Sequence, residues 1–312
     1  MKLHILHETR YRYGGMVDNA QHQVFLRPVD SSAQQCLEHQ LLIDPDPGVI
    51  ETRQDIFGNT TSWFSLTAPH DVLSVQSRSV VETRKPWVVA SQMPWEQVRE
   101  RFTYHSGGSY DPAHIFVFPS MYAAADALAA DYARTSFAPG RPLHDAAIEL
   151  MERVYQDFIY RSGATGTGTT ATDVLQQRSG VCQDFAHVLL SCFRAQGLAA
   201  RYVSGYLLTQ PPPGQPRLRG ADASHAWASV WLPDLQPVDG DPAQPPGGWL
   251  DLDPTNRRWG WDTPGDDYVR VATGRDFTDV SPLRGVINGS AGDELDVAVT
   301  VEPEHERSGS EA

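Results

Sequence analysis

Apolar and polar positions change rhythm along the 312 residues of this chain. Up to about residue 84, short segments rich in Val, Leu, Phe, Tyr and Thr partly alternate with polar residues: HILHETRYRY, HQVFLRP, EHQLLID, SWFSL and VLSVQSRSVVET. Period-two alternation marks strands with one buried face. DPDPG at 44–48 and GNTT at 58–61 supply turn residues between them. The pattern predicts a small antiparallel β domain over 1–85, with nothing in it that suggests chemistry.

The rhythm then turns helical. A connecting region, 86–140, is punctuated by Pro86, Pro94, Pro112 and Pro119 and carries helical patterns at WEQVRERF and AAADALAADYART. The clearest helix is PLHDAAIELMERVYQDFIY, 142–160, opened by Pro142 where a missing N–H costs little. Its Leu143, Ala147, Leu150, Met151, Val154 and Phe158 fall on one face. The glycine- and threonine-rich stretch 161–180 reads as a loop and a short helix; no Lys follows its last glycine, as a phosphate-binding loop requires. In RSGVCQDFAHVLLSCFRAQG, the residues Val181, Phe185, Val188, Leu189, Cys192 and Phe193 recur every three or four positions, so this helix is buried and Gly197 caps its end. AARYVSGYLL, SHAWASVWLP and GWLDLDPTN follow as strands, the last two separated by a Pro/Gly/Asp-rich loop over 233–248. A helix followed by strands predicts an α+β core, placed at 141–290. An acidic C-terminal strand and mobile tail take up 291–312, where seven acids face one Arg.

Charge narrows the partners. A net charge of −14 and a pI near 5.1 argue against nucleic-acid or anionic-membrane surfaces, which need clustered Lys and Arg. The start, MKLHILHETRYRYGG, breaks before any apolar signal region develops, and no run is long enough to span a bilayer. Cys36, Cys182 and Cys192 are odd in number and poorly spaced for a disulfide framework. The expectation is a cytoplasmic protein with reduced thiols.

Three residues carry candidate chemistry. Cys182 falls in the first turn of its helix, off the apolar stripe, with Ser179 as N-cap, and the helix dipole there favours a thiolate. Cys192 lies on the stripe and reads as a buried, inert thiol. His225, in SHAWASVW, shares a strand face with Trp227, Ser229 and Trp231, as the wall of a cleft would, while Ala226, Ala228, Val230 and Leu232 face a helix. In WLDLDPTN, Asp251 and Asp253 share a face, and either carboxylate could orient an imidazole on the neighbouring strand. The loop length brings residues near 253 opposite residues near 228, so reaching His225 calls for a register offset or a bulge. Thiolate, base and orienting carboxylate together would attack acyl carbons through a thioester.

GVCQDFAHVLLSCFRAQGLAARYVSGY, SHAWASVWLP and GWLDLDPTN, in that order, resemble the transglutaminase-like superfamily, specifically bacterial members with an extra N-terminal β domain. The Cys182–His225 and His225–Asp253 separations of 43 and 28 residues fit, and GRDFTDVSPLRGV at 274–286 resembles the same members. The resemblance spans residue 1 to about 302 and implies a papain/transglutaminase-like core, with a Cys-bearing helix packed on an antiparallel sheet. It implies Cys182 as nucleophile, His225 as general base and acid, and Asp253, which stands before Pro-Thr, as orienting carboxylate. The oxyanion would take the backbone N–H of Cys182 and a side-chain donor, for which Tyr160 and Gln176 are candidates. Trp227, Trp231 and Asp251 are expected to line the cleft. No cofactor is implied. The implied reaction is peptidase or amidase hydrolysis of a peptide or amide-bearing substrate, with protein-glutamine transamidation as the alternative.

Two other readings compete. A zinc site from Cys182, His187, Cys192 and His225 lacks the tight ligand pairs zinc sites use. A non-catalytic binding module would need no intact Cys, His and Asp set. Acidic residues in nearby loops, Asp234, Asp239, Asp241, Asp262, Asp266 and Asp267, mildly favour a cationic partner.

Overall fold

The computed structural model describes residues 1–86, 91–107, 111–163, 166, 168–209, 224–235, 247–289 and 292–304. Asp239 and Asp241 lie outside them. Five strands come first: β1 (Lys2–Val24), β2 (Gln34–Asp44), β3 (Glu51–Gln54), β4 (Thr60–Leu66) and β5 (His70–Thr83). The strand β1 alternates as its sequence demands, with Leu3, Ile5, His7 and Thr9 buried and their neighbours partly exposed. Its register against β5 slips between Arg12 and Val17. It is longer than the two short strands expected of it, because the segments that looked separate share one continuous ladder.

Helices follow: α1 (Trp95–Arg101), α2 (Ala127–Arg134) and α3 (Leu143–Asp157). The third stops three residues short of the predicted end, because Ile159–Tyr160 leaves it as a short strand, β6. Next come α4 (Ala171–Gln177), β7 (Ser179–Gly180) and α5 (Cys182–Ala195), then β8 (Ala200–Leu207), β9 (Ser224–Leu232), β10 (Gly248–Asp253), β11 (Arg258–Trp261) and β12 (Tyr268–Gly274). The second sheet runs β11-β10-β9-β8-β12, antiparallel throughout. Its small aliphatic face, with Ala226, Ala228, Val230 and Leu232 fully or nearly buried, shares one core with Phe185, Val188, Leu189 and Phe193 of α5. Cys192 is fully buried there, and burial pushes its thiol up to about 12. The fold is α+β, a β-rich N-terminal region followed by a helix-and-sheet core.

The chain ends with α6 (Phe277–Val280), β13 (Leu283–Gly289) and β14 (Asp293–Pro303). Both last strands pair with β1, Leu283–Gly289 along its second half and Asp293–Pro303 along its first. The end of the chain therefore completes the pairing of β1 in the first sheet. Residues 283–289, within the span assigned to the core, thus pair with the N-terminal sheet, and the acidic C-terminal strand joins the same sheet. Local sequence could not place them, since pairing partners some 290 residues apart leave no mark on periodicity.

The two regions are joined at the open edge of β12. Asn59 donates to the Thr273 carbonyl at 2.7 Å and accepts the Thr273 N–H at 2.8 Å. Gln34 does the same for Arg270, at 2.8 and 2.7 Å. Two carboxamides thus stand in for a missing strand and satisfy backbone groups that a bare edge would leave unpaired. Tyr206 and His7 add a buried contact of 3.0 Å between the regions.

Candidate active site

Cys182 is the first residue of α5, and Val181 rather than Ser179 is its N-cap. Ser179 is held in β7, paired with Ile159, so its hydroxyl is not at the helix start. Asp184 caps instead: its carboxylate turns back to accept the Val181 N–H at 2.8 Å. That return needs Gly180, where a Cβ would lie 2.7 Å from the Asp184 oxygen. The N–H of Cys182, in the first helical turn, has no intrahelical acceptor by position.

His225, 8% exposed, stands near the start of β9, and Asp253, fully buried, ends β10. Register pairs Leu252 with Ala228 and Asp251 with Ser229, with no bulge. His225 and Asp253 are therefore diagonal neighbours on one face, near enough for the imidazole to span the gap. The expected register offset is unnecessary. His225 Nε2 meets Asp253 Oδ2 at 2.7 Å. With Nε2 so engaged, Nδ1 is the nitrogen left for the thiol. Burial works against the imidazolium, but the Asp253 charge and hydrogen bond, followed by a hydrogen bond and charge interaction with Cys182, raise His225 to about 10.

Asp253 is the most heavily solvated group of the site, by protein rather than water. Oδ2 also accepts from Asn256 Nδ2 at 2.8 Å and from the Tyr268 hydroxyl at 2.7 Å. Oδ1 accepts the N–H groups of Thr255 and Asn256 at 2.8 and 3.3 Å. Burial opposes its charge, yet the His225 charge and the bonds from His225, Asn256 and Tyr268 hold it below the ordinary carboxylate range. Tyr268 reaches it from β12 across two intervening strands. Gly205, on the intervening strand β8, leaves room for the Trp227 ring beside it: a Cβ there would lie 2.7 Å from that ring and closer still to the Val269 carbonyl. The Tyr268 ring stands edge-on to Trp227 at 5.5 Å and beneath the Arg258 guanidinium at 4.8 Å, itself gripped by both oxygens of Asp267.

Three of the expected cleft residues lie elsewhere. Trp227 and Asp251 are 1% and 0% exposed, so they back His225 rather than line a cleft. The Trp227 N–H donates to Asp251 at 2.8 Å, and Arg270 and Arg201 partly offset the cost of burying that carboxylate. Alternation along the strand identified their shared face correctly, but that face is filled by the Tyr268 ring against Trp227 and by the Arg201 and Arg270 charges around Asp251. Trp231 sits six residues along β9 from His225, packed on Trp249 at 5.2 Å.

Tyr160 is 52% exposed, and burial, then the Cys182 charge, raise its phenol. Gln176 is an exposed residue of α4 with no hydrogen bond to the site among the described residues. His187 accepts the Phe277 N–H at 3.2 Å and lies between the rings of Tyr122 and Tyr202. Among the described residues no three His, Cys, Asp or Glu side chains converge as a metal site would require. The sequence did not point to Asn256 or Tyr268 as partners of Asp253; the turn after Asp253, closed by its carboxylate accepting the Thr255 and Asn256 N–H groups, was a local signal for Asn256, whereas Tyr268 had none.

A β-rich N-terminal region followed by a helix packed on a five-stranded antiparallel sheet is a transglutaminase-like architecture. The chain matches the bacterial transglutaminase-like N-terminal region over residues 3–82 and the transglutaminase-like superfamily over 127–254. It belongs to that superfamily. An uncharacterized protein of Mycobacterium tuberculosis (strain ATCC 25618 / H37Rv) is 41% identical over 96% of this chain and 92% of its own length. A protein-glutamine gamma-glutamyltransferase of Pseudomonas aeruginosa is 30% identical over 129 residues, 40% of this chain and 17% of that protein. A solved structure from Cytophaga hutchinsonii, described as a "Putative Cysteine Protease", has TM-score 0.67 over 96% of this chain and 90% of that one, at 22% identity. It bears on the fold alone.

Proposed function

We propose that the protein transfers acyl groups from amide bonds through a Cys182 thioester, and that water is the usual acceptor, making it a peptidase or amidase. The observation that carries this reading is the buried His225 imidazole, hydrogen-bonded to Asp253 and raised in basicity by that carboxylate and by Cys182 at the start of α5. The thiolate attacks the carbonyl carbon, and the Cys182 N–H with the Tyr160 side chain as second donor holds the oxyanion. Imidazolium then gives its proton to the departing amine as the C–N bond breaks. Water attacks the thioester with His225 taking its proton, and the thiol is released with the acid. Asp253 holds the ring orientation and stabilises its charged form.

Transamidation is the second reading, supported by the likeness to the Pseudomonas glutamyltransferase over 129 residues. It uses the same thioester with an amine in place of water. Unbridged thiols at Cys36, Cys182 and Cys192 support a reducing, cytoplasmic setting. A peptide or amide-bearing substrate is the partner this chemistry requires.

Alkylation of Cys182 against pH, followed by peptide mass, tests the assignment. In wild type Cys182 is expected to react at lower pH than in His225→Ala, with Asp253→Ala between them and buried Cys192 inert as internal control. A Cys182 profile identical in all three proteins would overturn it. Products formed in ¹⁸O-labelled water with and without a primary amine then separate hydrolysis from transamidation.

A further inference from the structure

The strand next to the thiol has an open edge. β6 runs parallel to β7, pairing Ile159 with Ser179 and Tyr160 with Gly180. The Ile159 N–H donates to the Arg178 carbonyl and the Arg161 N–H to the Gly180 carbonyl, each at 2.9 Å. Successive residues of a strand turn their backbone groups to opposite edges. The N–H and C=O of Tyr160 therefore point away from β7, and among the described residues neither has a hydrogen-bond partner. Ile159 and Tyr160 are 62% and 52% exposed, so solvent reaches this edge. One residue, Val181, separates β7 from Cys182. The Tyr160 ring lies 6.3 Å from that of Phe185 in the first turn of α5, and its phenol senses the Cys182 charge.

We propose that the Tyr160 backbone is a substrate-docking edge. An extended peptide adds one antiparallel residue to β6, exchanging both backbone hydrogen bonds with Tyr160, and so delivers its acyl carbonyl to Cys182. This rests on Cys182 being the attacking thiol, and it makes the substrate an extended polypeptide segment rather than a small-molecule amide. Strand pairing carries no side-chain demand at the docked residue, but it needs an N–H there, so proline is excluded. Of its two neighbours, the one opposite Ile159 is favoured when apolar, and the other lies opposite Arg161.

The test uses chloromethyl ketones of alanine, dialanine and trialanine on the full chain. The thiolate sulfur bonds to the methylene carbon and chloride leaves, so mass counts the labelled Cys182. The second-order rate is expected to rise about tenfold at the length that reaches Tyr160, two neutral hydrogen bonds being worth roughly that factor. N-methylation at that one residue should abolish the rise, and methylation elsewhere should not. Tyr160→Pro, which removes the N–H, should lower the ratio of extended to single-residue rates. Rates independent of length, or a rise that survives every N-methylation, would overturn the docking edge while iodoacetamide still reports a His225-dependent thiol. Loss of that His225 dependence would instead bring down the nucleophile assignment, and the docking edge with it.

Discussion

Asp253 shows how much arrangement one side chain can require. Five donors converge on it, and only the diagonal placement of His225 was visible from strand pattern. Tyr268 is its most distant donor in sequence after His225, and Tyr268→Phe tests its worth while keeping the ring that packs on Trp227. With one donor gone, the carboxylate is less favoured and its pKa rises. Asp253 must be ionised to hold imidazolium, so the acid limb of the kcat/KM profile is expected to move to higher pH. Loss of one hydrogen bond to a charged group should cost about tenfold at neutral pH and lower the unfolding midpoint as well, so the pH profile rather than the rate alone carries the test. An unchanged acid limb would count against Tyr268 as a positioning residue.

At the scale of elements, α5 is fixed at both ends by chemistry its amphipathic stripe does not show. Asp184 closes the start, and Gly197, at φ +74°, provides the left-handed turn that ends the helix. Near that end the buried Arg194 guanidinium donates to the carbonyls of Phe116, Ala123, Ala200 and Arg275 and to the Ser120 hydroxyl. It ties the connecting region, β8 and the β12–α6 corner to the helix that carries the thiol. Arg194→Met keeps most of the volume but leaves those acceptors unpaired. A loss of about 3 kcal/mol in urea denaturation is expected, and a loss below experimental error would mean water replaces the guanidinium freely.

For the whole molecule, β13 and β14 return the end of the chain to β1, and Asn59 and Gln34 tie the first sheet to the β12 edge of the second. Acid stability follows from buried imidazoles. Burial lowers His7, at the contact with Tyr206, to about 4, and burial together with the His70 charge lowers His22 to about 4 as well. Their folded pKa values lie below the ordinary 6.5, so between those limits the unfolded chain binds more protons. The contribution of these two imidazoles is full above about pH 6.5 and is expected to be lost as pH drops toward about 4. Thermal unfolding across that window measures it, and His22→Leu should flatten the decline; a midpoint that holds constant down to pH ~4 would refute the assignment.

Alternation and helical spacing by themselves determined the β-rich start, the buried helix opened by Cys182 and the aliphatic face that receives it, because these depend on neighbours within one turn or one strand. They also put His225 and Asp253 on a common face. The tertiary structure alone decided what covers that face, and so turned Trp227 and Asp251 from an expected cleft wall into buried support. It alone brought Tyr268 from β12 to Asp253, and the last strands back to β1. Each of those contacts joins residues whose local patterns are independent of one another, and only the closing of the chain on itself couples them.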